Sequence, residues 1–177
     1  MRVFAGLQVS GEMREALYDA AEAAKKLFPG KYAWKENYHC TLKFIGEAGD
    51  QNILAICDAI KAAAQGTDAF SIELSQLSYF RKPTEAVLFF GLKNCPPLNT
   101  LAQKVDQALQ GAGYPLEQGP YHPHITLARQ AKIDTEMLSS ISIAPITSMV
   151  TDITLFESCR IGGQLRYVPL FAYSLGK

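Results

Sequence analysis

Apolar positions change their period from one stretch of the chain to the next, and the changes mark out elements. Arg2–Gln8 is a short apolar run of strand length. Ser10 offers an oxygen to cap a helix, and Glu12 is favourable in its first turn. Met13, Ala16, Leu17, Ala20, Ala24, Leu27 and Phe28 then recur at helical spacing until Pro29–Gly30 stops them. His39–Ile45 alternates as a strand and ends at Gly46. Asp50 is placed to cap a second helix, with the stripe Ile53, Ile56, Cys57, Ile60 and Ala64, closed by Gly66. Phe70–Phe80 and Ala86–Lys93 read as strands joined by a turn over Arg81–Thr84. Pro96–Pro97 opens a third helix whose face carries Leu98, Leu101, Ala102, Val105, Ala108 and Leu109, and Gly111–Ala112–Gly113 closes it. Ile125–Arg129 is a strand, and a short helix is predicted near Asp134–Ser140. Ile146–Glu157 and Leu165–Ser174 form a hairpin around Gly162–Gly163.

The pattern repeats without a gap at the 85-residue spacing that separates His39 from His124. Phe4 falls on Phe89, Gly6 on Gly91 and Leu7 on Leu92; His39, Thr41 and Leu42 fall on His124, Thr126 and Leu127. Between these anchors the first helix overlays the third, with Ala16 on Leu101, Ala20 on Val105 and Ala24 on Leu109. The expectation is an α+β fold of two pseudo-symmetric lobes, with repeat units about 1–65 and 86–142 interleaved in one domain. An approximate two-fold axis then brings the two His-x-Thr pairs together across a cleft.

Strand alternation assigns their faces. In His39–Gly46, Cys40, Leu42 and Phe44 share the apolar face, while His39, Thr41 and Lys43 point away. In His124–Leu127, Ile125 and Leu127 face the core, and His124 and Thr126 point away. Each unit thus presents an imidazole, which exchanges protons near neutral pH, beside a hydroxyl. One imidazole can act as base and the other as acid across a reacting centre, while the hydroxyls donate to non-bridging oxygens. That set suits in-line transfer at phosphorus. A phosphodiester carries one negative charge there, so no metal is required. Two other readings stay open. His122-x-His124 with His39 is a possible metal set, although Thr is a poor zinc ligand. A cleft that binds without turnover is the second.

Composition narrows the partners. The 177 residues carry 17 Lys and Arg against 17 Asp and Glu, so no long polybasic footprint for duplex nucleic acid exists. A pocket for one or a few nucleotides is compatible with this balance. Cys40, Cys57, Cys95 and Cys159 form no CxxC pair and read as buried thiols in a reducing compartment, the cytoplasm. No apolar run reaches the ~20 residues of a membrane span, and no basic-plus-apolar signal precedes Met1–Val3. A monomer is the default.

His39–Gly46 and His122–Arg129 resemble the two signature motifs of the 2H phosphoesterase superfamily, and within it the RNA 2′,3′-cyclic phosphodiesterases, also called 2′-5′ RNA ligases. The resemblance extends to Arg2–Leu7, to Trp34 with Glu36–Asn37, and to Leu155–Ser158 with Arg166–Tyr167. Cys40 stands where the family usually has an aliphatic residue, and Arg160–Ile161 is an atypical lead into the last turn. The resemblance implies a bilobal fold, with mostly antiparallel sheets flanking a cleft and helices outside. It also implies hydrolysis of a terminal ribose 2′,3′-cyclic phosphate to a 2′-phosphate, with no cofactor. His39 would protonate the leaving 3′-oxygen, His124 would activate water, and Thr41 and Thr126 would hold the phosphate. In reverse, the same groups would join a cyclic phosphate end to a 5′-hydroxyl. No GxxxxGK[ST] phosphate loop occurs.

Five further residues are candidates for contact with substrate. Lys43 shares the face of His39 by period. Arg129 falls on the face opposite His124 and would reach a neighbouring segment or the RNA chain. His122 precedes Pro123, which disturbs alternation, and reads as a supporting residue. Tyr167 and Phe4 are candidates for stacking on a base, or for the core.

Overall fold

The computed structural model describes residues 1–177. Nine strands and three helices alternate: β1 (Arg2–Gln8), α1 (Gly11–Lys25), β2 (Lys31–Tyr32), β3 (His39–Glu47), α2 (Asp50–Ala64), β4 (Phe70–Arg81), β5 (Ala86–Leu92), α3 (Pro96–Gly111), β6 (His124–Ala131), β7 (Thr147–Val150), β8 (Asp152–Ile161) and β9 (Gln164–Ser174). Short 3₁₀ turns cover Lys35–Asn37 and Thr135–Ser140. Ser10 caps α1 as expected, its Oγ accepting from the Met13 N–H at 3.2 Å. Pro96 and Pro97 start α3, where a missing N–H costs nothing. The helix stripes Met13–Leu17–Ala20–Ala24, Ile56–Ile60–Ala64 and Leu98–Leu101–Val105–Leu109 bury into one core cluster with Val3, Ala5, Leu7, Cys40, Phe90, Ile125 and Leu127 from the sheet.

Three boundaries differ from expectation. Gly49, not Asp50, is the N-cap of α2, and Asp50 is its first residue, where its charge still favours the N-terminus. The chain leaves α1 at Lys25, and Leu27 and Phe28 turn back with both N–H groups on the Ala24 carbonyl. The predicted strand Ile146–Glu157 divides at Thr151, whose carbonyl accepts from the Leu175 N–H. Of the two pieces, β7 pairs with β4, while β8 pairs with β1 and β9. An apolar pattern that stays regular across the break cannot show that the chain changes neighbours. The two-residue β2, paired with β6, was too short to register as a period.

The strands follow one path, β7-β4-β5-β6-β3-β1-β8-β9, with β2 beside β6. The two expected sheets are therefore halves of a continuous one. They meet where β3 lies antiparallel to β6 at one register pair, Cys40 opposite Ile125. These residues are equivalent under the 85-residue repeat. When equivalent residues of antiparallel strands face each other, the two-fold axis passes between them. His39 then lies across from Thr126, and Thr41 across from His124, all on the face opposite the fully buried Cys40 and Ile125.

Both strands bulge at the same place. The β1–β3 register passes from Ala5↔Lys43 to Gly6↔Thr41 and leaves Leu42 without a partner. The β5–β6 register passes from Leu88↔Ala128 to Phe89↔Thr126 and leaves Leu127 without one. Leu42 and Leu127 are repeat equivalents, and each extra residue reverses the alternation of the strand residues beyond it.

Candidate active site

Each motif histidine is fixed by the carbonyl two residues before it. His39 Nδ1 lies 2.7 Å from the Asn37 carbonyl, and His124 Nδ1 lies 2.7 Å from the His122 carbonyl. A carbonyl only accepts, so each Nδ1 carries the proton and each Nε2 is left as the exchanging nitrogen. Asn37 and His122 are themselves repeat equivalents, so one backbone device serves both rings. Thr41 Oγ1 lies 2.9 Å from His39 Nε2 and donates to it while that ring is neutral. Across an antiparallel pair, diagonal neighbours stand about 7–8 Å apart. The motif register gives the two imidazoles that diagonal relation.

Aromatic rings back both imidazoles. Phe4 lies 4.7 Å from the His39 ring, and Tyr167 meets it edge-on at 4.9 Å. Phe89, the equivalent of Phe4, lies 5.1 Å from the His124 ring, and Phe80 meets that ring edge-on at 4.9 Å. Taking these rings out of water disfavours their charged form. Burial first, then the nearby charges of His124 and Arg129, lower the His39 pKa from 6.5 to about 4. Burial, then Arg129 and His122, lower that of His124. Both rings are neutral in the free protein at pH 7.

A cleft of about 600 Å³ is lined by His39, Thr41, Tyr167 and Arg129, while His124 and Thr126, expected on the same cleft, lie outside its lining. Arg2, Phe44 and Arg160 also line it, and no carboxylate does. The bulges correct three sequence readings. Lys43, expected beside His39, is turned away from the cleft: it is 4% exposed, with Nζ 2.7 Å from Asp106 on α3. Arg129, expected on the far face, lines the cleft. Each lies past the bulged leucine, where side chains swap faces. Phe44, assigned to the core by alternation, is 45% exposed for the same reason. Phe44 and Arg129 are repeat equivalents, so the bulge delivers a matched pair of positions to the site.

The other candidates fall into place around this geometry. Phe4 is 3% exposed and packed between His39 and Phe156, at the floor of the cleft that it helps to line. Tyr167 is half-buried in the cleft wall. His122 contributes its carbonyl; its exposed ring lies 6.4 Å from Phe80, and nowhere do three His, Cys, Asp or Glu side chains gather as a metal would need. One residue was missed as a site residue. Asn37 donates from Nδ2 to the Leu165 carbonyl at 2.9 Å and accepts the Tyr167 N–H on Oδ1 at 3.1 Å, which ties β9 to the site. Its signals were its position two residues before a motif histidine and its place in the segment Glu36–Asn37 that carries the family resemblance.

The family description "2′-5′ RNA ligase superfamily" matches residues 12–160. The chain belongs to that superfamily. Among its members, the RNA 2′,3′-cyclic phosphodiesterase of Bacillus subtilis is 33% identical over 130 residues, 72% of this chain and 70% of that protein. The protein of the same name from Geobacillus stearothermophilus is 29% identical over 161 residues, 88% of this chain and 51% of that protein, so the chain spans about half its length. The crystal structure of E. coli LigT complexed with 3′-AMP superposes with a TM-score of 0.81 at 27% identity, covering 99% of this chain and 98% of that one. The superfamily, the α+β architecture and the matched motifs agree with one another.

Proposed function

We propose that this protein hydrolyses the 2′,3′-cyclic phosphate at an RNA end to a 2′-phosphate, using only its own side chains. The observation that carries the reading is the pair of His-x-Thr units about a two-fold axis, each with Nδ1 committed to a carbonyl, which leaves Nε2 for proton transfer: open in His124 and beside the Thr41 hydroxyl in His39. His124 Nε2 removes a proton from water as its oxygen attacks phosphorus. His39 Nε2–H gives its proton to the departing 3′-oxygen, and the P–O3′ bond breaks. Thr41 and Thr126 donate to the non-bridging oxygens, and Arg129 supplies fixed positive charge where the phosphorane becomes more anionic. With a 5′-hydroxyl in place of water, the same steps join two ends through a 2′-5′ bond. The related proteins named RNA 2′,3′-cyclic phosphodiesterase support this reading.

His39 must be protonated to act as acid, yet burial holds its pKa near 4 in the free protein. The substrate's phosphate anion resolves the conflict, because an opposite charge within a few ångströms favours imidazolium. Arg2 and Arg160, beyond the need of one singly charged ring, suit the backbone phosphates of an RNA chain. All four cysteines are free thiols, which fits work in the cytoplasm. No helix is long and apolar enough to cross a membrane.

The test is incubation with a nucleoside 2′,3′-cyclic phosphate in excess chelator. The expected product is the 2′-phosphate alone. Turnover that disappears with chelator, or a 3′-phosphate product, defeats the reading. Binding without turnover would make the protein an RNA-end binder.

A further inference from the structure

The chain enters its two motifs by different means. The first lead-in, residues 26–38, is built from backbone structure. Lys31–Tyr32 pairs with Arg129–Ala128, the Ala33 N–H donates to the Leu127 carbonyl at 2.7 Å, and the Lys132 N–H donates to the Pro29 carbonyl at 2.8 Å. The second lead-in, residues 112–123, contains no strand or 3₁₀ turn. Shifted by the repeat, Lys31–Tyr32 becomes Leu116–Glu117, and their partner Ala128 becomes Lys43. A lysine side chain from the first motif stands where a strand pair stands in the other half.

Lys43 Nζ donates to the Pro115 carbonyl at 2.7 Å and lies 2.7 Å from Asp106 and 3.3 Å from Glu117. The Asp106 carboxylate also accepts the Glu117 N–H, at 3.2 Å to each oxygen. Further along, the Tyr121 hydroxyl donates to the Thr41 carbonyl at 2.8 Å and sits 3.4 Å from Cys40 Sγ. The next residue is His122, whose carbonyl holds His124 Nδ1.

From this chain of contacts we infer that Lys43 and Tyr121 are positioning residues for His124. They fix the lead-in so that the His122 carbonyl accepts from His124 Nδ1, which commits the ring to the tautomer with a free Nε2. The inference rests on the proposed use of His124 as the base. Lys43 need not touch substrate, since its side chain is 4% exposed. Hydrogen bonds from one motif's strand to the other's lead-in make the two histidines interdependent across the two-fold axis. An apolar contact would hold the segment as firmly but would not fix the direction of a carbonyl.

The experiment uses the full chain carrying Lys43→Met or Tyr121→Phe, assayed on a nucleoside 2′,3′-cyclic phosphate and by nitrogen-edited NMR of the imidazoles. Lys43→Met should lower kcat about 10²-fold, as a misplacement near 1 Å does, while KM holds. Tyr121→Phe should lower kcat less. In both, the His124 Nδ1–H signal should broaden or vanish by exchange while the His39 Nδ1–H signal persists, and the rising limb of the pH profile should move. A variant that merely loosens the fold would weaken both signals together. If Lys43→Met fails to fold, Tyr121→Phe, which removes one oxygen and keeps the ring, decides alone. Folded variants that retain the His124 signal overturn the inference, as does loss of that signal with unchanged kcat. The NMR readout stands even if the wild-type protein turns nothing over, so failure of the proposed reaction is told apart from failure of the positioning.

Discussion

His39 and His124 share a backbone device but not an environment. His39 is bonded at both nitrogens and enclosed by Phe4, Phe156 and Tyr167. His124 is bonded at Nδ1 alone, with Phe80 and Phe89 at its side. The difference arises outside the motifs: β8 and β9 bring Phe156 and Tyr167 against His39, and on the other half β4 supplies only Phe80. The repeat therefore fixes where each ring points, and the strands added around it fix how readily the ring is charged. The proposed mechanism asks for this division: an acid that gains its proton beside an anion, and a more open ring that meets water.

The largest test of this division is removal of either ring. His39→Ala and His124→Ala should each lose about 10²–10⁴ in kcat, the usual worth of a placed proton transfer. The double variant should lose far less than the product of the two, because the groups act as a unit. A single variant with near-wild-type rate would break the pairing. Arg129→Gln comes next. A charge-assisted hydrogen bond to phosphate is worth about 1.5–3 kcal/mol, so kcat/KM should fall about 10–100-fold. Because the guanidinium lowers both imidazole pKa values, NMR titration should find both raised in the variant. A rise at one ring only would show that Arg129 belongs to one half rather than to both.

The pH dependence separates the halves more finely. His39 titrates near 4 when folded against 6.5 in the unfolded chain. The unfolded chain binds the proton first, so this contribution to stability is complete above pH 6.5 and declines as pH falls towards 4. His39→Gln should flatten that decline in acid unfolding curves, and an unchanged slope would remove burial as the cause. In kinetics, the limb that reports His39 should lie at lower pH in kcat/KM, set by the free protein, than in kcat, where the bound anion raises the pKa of His39. Coincident limbs would mean that substrate leaves His39 unperturbed.

The sequence made the repeat legible because a gapless spacing of 85 survives in the side chains that do chemistry and in the helix stripes between them. It misplaced Lys43, Phe44 and Arg129 for one reason. Alternation was extended past Thr41 and Thr126, and a bulge adds a residue without altering composition: Leu42 and Leu127 look like any inward strand residue. Two matched bulges are invisible to a period count, yet they exchange a lysine for an arginine at the site. The division at Thr151 escaped for a related reason, since an apolar run reports burial and says nothing of which neighbour provides it. Asn37 escaped because its partners lie on β9, at a distance in sequence that no local pattern spans.

The smallest effect compares one position in both repeats. Asn37 and His122 each lend a carbonyl to the ring two residues on, and that function survives replacement of the side chain. Their side chains differ. The Asn37 amide is 5% exposed and makes two hydrogen bonds to β9, whereas the His122 ring is exposed and bonds nothing. Asn37→Ala removes two part-buried hydrogen bonds, to the Leu165 carbonyl and from the Tyr167 N–H, each worth about 0.5–1.5 kcal/mol. It should lower the thermal midpoint and, by freeing Tyr167 from the His39 ring, ease the acid limb upward. His122→Ala should stay within about 0.5 kcal/mol of the parent, as surface substitutions do. Equal losses at the two positions would mean that the β9 tether adds no stability of its own, and the contrast between the halves would then reduce to the aromatic rings alone.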